Sequence, residues 1–360
     1  MSRLTPRENL IRAAHRQGFD WVPIDLLLCD SQIQQFINRF GHADYFNWFG
    51  VDFRWVELKE KPGFTNPKDL YPREILPNST EFDVLGLGHS KGSEAAYHMT
   101  RMHHPLAKTD SIEEIIKYPL PIINRDENQE LFDQVGTLHQ QGLAAMCMMQ
   151  MTIWETSWFL RSMEDLIMDM LTEDEKATVL LDKVLDYQIS RATIHASAGV
   201  DILSLGDDVG MQTGPLISPD LWKTWIKPRL KKVIDAARNI KPDILIFYHS
   251  CGDATQFIDG LIDCGVDILN PVQPECMDFN AIHETYGNQL SFWGTLGTQQ
   301  LLPFGTPEEV REAARDRIQT CGQKGGLILG PTHLVEPEVP FENLVAIKEA
   351  ALELYPRPRS

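Results

Sequence analysis

The chain has 360 residues, 43% of them hydrophobic and 23% charged, an ordinary globular composition with enough material for one (β/α)8 barrel carrying insertions. A formal net charge of −18 speaks against nucleic acid and against anionic membrane surfaces, since both call for basic surface. The six cysteines (Cys29, Cys147, Cys251, Cys264, Cys276 and Cys321) lie mostly inside or beside apolar runs and do not form a disulfide framework. A reducing cytoplasmic setting fits them best. No apolar run approaches the about 18 residues of a transmembrane helix, and the stretch Met1 to Glu8 lacks a signal-type apolar region.

In chain order, Thr5-Pro6-Arg7-Glu8 supplies a capping hydroxyl, a proline at the first helical position and a glutamate three residues after the cap. This predicts a helix running to about His15. Residues 22–28 read as a first strand, 31–40 as a helix and 51–57 as a second strand. Over 57–142 the pattern loses regularity, with prolines at 62, 67, 72, 77, 105, 119 and 121 and short strand-like pieces near 81–100. This stretch is expected to be an insertion between strands two and three that could lid a site.

Regularity returns at residues 143–149. Helical patterns over about 157–171 and 174–198 lead to apolar β-type runs at 200–205, 244–248, 266–270, 290–293 and 326–330. Helices are expected to start at Ser218-Pro219 and at the capping box Thr306-Pro307-Glu308-Glu309. Eight strands alternating with helices predict an α/β fold, a (β/α)8 TIM barrel formed by residues 1–360 as one domain. A doubly wound open sheet is the alternative, but no Gly-x-Gly-x-x-Gly follows the first strand.

In such barrels the chemistry sits where strands end. Strand four runs into Asp207-Asp208, strand five into His249-Ser250-Cys251-Gly252, strand six into Asn270 and on to Gln273 and Glu275, strand seven from Trp293 to Gln299, and strand eight into Thr332-His333. His249 and Cys251, two apart on a strand, project together and make two-thirds of a zinc site; a buried pair that merely packs is the other reading. His333 could reach the same mouth. Asp207 and Asp208 could orient zinc ligands or form a proton-handling dyad, or else one caps a turn while the other is solvated. Glu155, just past strand three, could act as metal ligand or acid, or sit as a carboxylate at a helix N-terminus. Gln273, Glu275 and Gln299 could orient a substrate by hydrogen bonds, and Trp293 could offer a stacking surface. No P-loop or Cys-x-x-Cys motif is present, which removes kinase and thioredoxin readings.

The stretch from about 140 to 350 resembles the uroporphyrinogen decarboxylase superfamily, within it the methyltransferase branch that includes the methylcobamide:coenzyme M and chloromethane-utilising enzymes. The resemblance rests on the His249-x-Cys251 pair and on Pro340-Phe341-Glu342-Asn343, with the Thr5-Pro6-Arg7-Glu8 helix and the Val22-Pro23-Ile24-Asp25 strand fitting as well. It implies a zinc ion on His249 and Cys251, with His333 standing where the methyltransferases carry a third, cysteine ligand. A His2Cys set still leaves an open fourth position but is less electron-donating. The true decarboxylases grip their substrate's carboxylates with an arginine-rich segment after the first strand, whereas Asp25-Leu26-Leu27-Leu28-Cys29-Asp30 contains no arginine.

The resemblance therefore implies a zinc-dependent methyltransferase that moves a methyl group between a small O-, N- or S-methyl compound and a cobamide (corrinoid) carried by a partner protein. Two alternatives stand beside it: a metal-free decarboxylase of a small carboxylic acid with Asp208 and His333 handling protons, and a non-catalytic tetrapyrrole or corrinoid carrier. The expected partners are a small methylated substrate and a corrinoid protein, without nucleic acid or membrane, a homodimer being left open.

Overall fold

Seven parallel strands frame the molecule: β1 (Phe53–Val56), β2 (Ala144–Gln150), β3 (Ile202–Gly206), β4 (Leu245–His249), β5 (Ile268–Asn270), β6 (Ser291–Leu296) and β7 (Leu327–Pro331), hydrogen-bonded in that order. The computed structural model describes residues 4–91 and 100–357. β3 and β6 are buried at every position, as strands covered on both faces should be, and their few polar positions, Ser204, Ser291 and Thr295, are buried with the rest.

The expected first strand takes a looser form. Residues 22–28 run beside β7, with Asp25 N–H donating to Leu329 O at 2.9 Å and Leu329 N–H to Pro23 O at 2.9 Å, but only isolated bridges form, at Ile24 and Leu28. Pro23 has no N–H to give, which removes one rung from any ladder there. Trp21 Nε1 donates to Asp52 Oδ2 at 2.9 Å and so ties the start of this segment to the start of β1. The segment is the eighth stave of a (β/α)8 TIM barrel. Inside, Trp293 meets Phe53 and Phe247 edge-on at centroid distances of 5.2 and 5.3 Å.

The outer helices begin largely where the sequence says they should. Both capping boxes form, at Thr5 for Pro6–Ala14 and at Thr306 for Pro307–Cys321. The helix expected over 157–171 is two, Trp154–Arg161 and Met163–Leu171, because Ser162 takes φ 80 and cannot continue a right-handed turn. The helix expected from Ser218 begins as the short Pro219–Leu221, passes through a π-turn at Trp222–Ile226 and continues as Lys227–Ile240. Glu175–Ala198 packs along Lys227–Ile240.

Between β1 and β2 the insertion builds a small antiparallel sheet from Glu81–Phe82, Gly88–Lys91 and Thr100–His103, with helices Ile112–Lys117 and Gln129–Gln140. Residues 92–99 of the stretch expected to hold strands lie outside the described residues. Buried Ser90 and His103 meet at 2.8 Å, and His103 Nδ1 reaches Glu74 Oε1 at 2.7 Å, a chain that cross-links this sheet. All six cysteines are free thiols. Among the described residues no helix is long and apolar enough to cross a membrane.

Candidate metal centre at the barrel mouth

The segment after β4 is stapled at every residue. Ser250 N–H donates to Asn270 O at 3.0 Å, Cys251 N–H to Asp208 Oδ1 at 2.7 Å and Gly252 N–H to Gln273 Oε1 at 3.1 Å, while Ser250 Oγ accepts Val209 N–H at 3.0 Å. Gly252 holds φ 74, and a Cβ there would lie 2.6 Å from the backbone of Gly210. Only glycine fits that turn. It places the Cys251 sulfur 3.3 Å from His249 Nε2, and the ligand atoms of His249, Cys251 and His333 all lie within 4.8 Å of one another.

One residue sets the chemistry of His249. Asn270 Nδ2 donates to Trp293 O at 2.8 Å, so its Oδ1, 2.5 Å from His249 Nδ1, must accept. The proton therefore sits on Nδ1 and the Nε2 lone pair faces Cys251, the tautomer being assigned from the hydrogen-bond network. Nothing in the strand's apolar pattern flags Asn270 as more than the end of a run. Its adjacency to β4 in the sheet, paired Asn270 to His249, is what makes it a ligand support.

The donor set fits a zinc ion. Bonds of about 2.0–2.3 Å to nitrogen and sulfur put tetrahedral ligands roughly 3.3–3.6 Å apart, and the His249–Cys251 pair already has that separation. Burial and the neighbouring acids Asp208 and Glu155 push the Cys251 thiol up to about 12, so a cation must supply the positive charge for it to act as thiolate. His333 is exposed at the mouth, but local desolvation and the approach of His249 lower its pKa, which favours the neutral form that can bind a metal. Three protein ligands leave a fourth position open.

The acids divide by role. Asp207 is fully buried and its carboxylate accepts the backbone N–H of Ile153 at 3.1 Å and of Glu155 at 2.9 Å, at the head of Trp154–Arg161. It acts on the helix, with burial pushing its carboxyl up to about 7. Asp208 faces the ligands: its Oδ1 lies 3.7 Å from His249 Nε2 and accepts the Cys251 N–H. Glu155 is driven up to about 9 by burial and by Asp207 and Asp208, which makes it a neutral acid at neutral pH.

The remaining candidates hold loops or the floor. Gln273 is buried on the Cys251–Gly252 turn, and Glu275 Oε1 accepts Gln299 N–H at 3.3 Å, which joins the loops after β5 and β6; the Gln299 side chain is exposed. Trp293 is buried and donates from Nε1 to Asp25 Oδ2 at 2.7 Å. It forms the floor of a cavity of about 270 Å3 that His249, His333, Asp25, Trp55, Phe247 and Met148 also line. Gln273, Glu275, Gln299, Asp207, Asp208 and Glu155 lie outside that lining. Asp25 is the lining acid that sequence reasoning missed, because it sits within the first apolar run rather than after it.

The chain is 27% identical over 258 residues to the methylated-thiol–coenzyme M methyltransferase of Methanosarcina mazei, a match covering 69% of this chain and 62% of that enzyme. It is 25% identical over 174 residues to a uroporphyrinogen decarboxylase of Coxiella burnetii, covering 48% of this chain and 45% of that one. The chain thus spans less than two thirds of the length of either relative. In structure it resembles a methyltransferase from Methanosarcina mazei with a TM-score of 0.68 at 16% identity, over 98% of this chain and 100% of the other, a likeness of fold. Residues 81–354 match the family described as Uroporphyrinogen decarboxylase (URO-D), and the chain belongs to that family.

Proposed function

We propose that this protein is a zinc-dependent methyltransferase that passes a methyl group between a small O-, N- or S-methyl compound and a corrinoid carried by a separate protein. The observation that carries the reading is the His249–Cys251–His333 trio beside a small cavity. When bound there, zinc supplies positive charge at a heteroatom on which negative charge develops, or holds a thiol as thiolate. The chain's own residues do the rest. Asn270 keeps the proton on His249 Nδ1 and Asp208 fixes the Cys251 backbone. Trp293 and Phe247 close the floor against water.

The methyltransferase name of the more extensively matched relative supports this reading over decarboxylation. Zinc analysis of purified protein, with His249→Ala and Cys251→Ala beside it, is the first test, followed by methylcobalamin formation from cob(I)alamin and a panel of methyl donors. One zinc per chain, lost in both variants while the barrel stays folded, is the expected result. Carbon dioxide release by metal-free enzyme, abolished by Asp208→Asn and unaffected by Cys251→Ala, would overturn the proposal.

A further inference from the structure

The cavity beside the candidate metal centre is lined by two chemically different kinds of polar group. One is the imidazole pair of His249 and His333, whose ring centroids lie 6.0 Å apart. The other is the carboxyl of Asp25, whose Oδ2 accepts Trp293 Nε1–H at 2.7 Å and whose buried Oδ1 has no side-chain partner. Burial raises the Asp25 carboxyl to about 6, an effect that the Trp293 and Leu26 N–H groups only partly offset, and no cation among the described residues acts on it, so as a carboxylate it has no counter-ion there.

The rest of the lining is largely aromatic and thioether surface, from Trp55, Phe247, Trp293, Met146 and Met148, with the neutral polar groups of Gln150, Asn270 and Thr332 among it. No lysine or arginine is among the described residues that line the cavity. An anionic occupant would meet Asp25 with nothing to balance it. A neutral apolar one would leave the Asp25 charge buried and unpaired. An ammonium group satisfies both surfaces, because the faces of aromatic rings attract cations and a carboxylate binds them directly. Trp55 Nε1 also lacks a partner; it is a neutral donor that can meet a heteroatom of the occupant but cannot balance an anion.

We propose that the cavity selects a small aliphatic thiol or thioether bearing an ammonium group, with the ammonium against Asp25 and the sulfur toward His249 and His333. This rests on the zinc reading for the sulfur end but not for the ammonium end. The space of about 270 Å3 suits such a molecule.

The test has two arms. In the first, zinc-loaded protein is titrated calorimetrically with 2-aminoethanethiol, 2-mercaptoethanol and 2-mercaptoethanesulfonate. The wild type should bind the amine about tenfold or more tightly than the sulfonate, and Asp25→Asn, which keeps shape and can still accept from Trp293, should erase most of that difference. In the second, chelator-treated protein meets n-propylamine and propane-1-sulfonate, which carry no sulfur ligand. The amine should again bind better, and again only with Asp25 intact. If no zinc binds and the thiols gain nothing over the simple amine, yet the amine preference holds and vanishes in Asp25→Asn, the methyltransferase reading falls and the ammonium site stands. A sulfonate bound as well as the amine, a preference that survives Asp25→Asn, or no amine binding in either arm overturns the proposal.

Discussion

Replacing Asn270 tests the centre without touching a ligand. Asn270→Ala removes the acceptor for His249 Nδ1 and the donor to Trp293 O together. Loss of a group that orients a metal-bound histidine typically costs 10–100-fold in affinity, or about 1.4–2.7 kcal/mol, because the ring can then turn and take either tautomer. Removing the buried donor to Trp293 O should cost about 1–3 kcal/mol of fold stability besides. Asn270→Asp separates these effects. Its carboxylate still accepts from His249 and makes the imidazole a stronger ligand, but it has no proton for the Trp293 carbonyl. Zinc affinity, measured by competition with a chromophoric chelator, should therefore drop in the alanine variant and hold within about tenfold in the aspartate variant. Urea unfolding of the metal-free proteins should report a loss in both. Unchanged zinc affinity in Asn270→Ala would refute the argument, since His249 would then need no support from β5.

Gly252→Ala should lower both zinc retention and the urea midpoint, because a left-handed residue with a Cβ costs about 1–2 kcal/mol and the Gly210 backbone stands 2.6 Å from where that carbon would be; wild-type zinc retention would mean that the turn does not position Cys251. Asp207→Ala should cost about 1–2 kcal/mol in urea unfolding, through the N–H groups it leaves unpaired at the head of Trp154–Arg161, with metal content unchanged; loss of zinc instead would place Asp207 in the centre. His195, buried in Glu175–Ala198, has its pKa lowered by burial to about 3. The unfolded chain takes up that proton from about pH 6.5 downward while the native state does not, so stability falls with pH below about 6.5 and the loss levels off near pH 3. Between pH 8 and 5 this amounts to about 2 kcal/mol, and a His195→Gln variant should lack that part of the slope. An identical pH profile in the variant would show that His195 does not titrate this way.

The fold was legible because a parallel barrel buries both faces of its strands, and residues 244–248 therefore stand out as an apolar run without alternation, with 200–205 mostly apolar beside it. Helix starts were legible where the cap is local: Thr5 and Thr306 need only the glutamate three residues on. What failed were local breaks with no strong sequence signal. A serine at 162 does not announce φ 80, and the π-turn at Trp222–Ile226 sits inside a continuous helical pattern. The first run was identified in sequence, but its weak pairing depends on how Pro23 meets β7, which is a tertiary matter.

The site divides along the same line. His249 and Cys251 were visible because their spacing on one strand is itself the geometry, and the split between Asp207 and Asp208 was anticipated in kind but not in assignment. Asn270 and Asp25 were not visible as site residues. Each acts across the sheet: Asn270 through its pairing with His249, and Asp25 through Trp293, which is 268 residues away in sequence. In a closed ring the first stave is neighbour to the last, so a residue near the start of the chain can complete a pocket whose candidate metal ligands come much later in the chain. Pattern along the chain finds ligands supplied by one strand; groups that orient those ligands come from the strands on either side, and their identity depends on register. The outcome of Asn270→Ala and Asp25→Asn therefore bears on more than two residues, because both variants leave the His-x-Cys motif intact and alter only what the barrel brings to it.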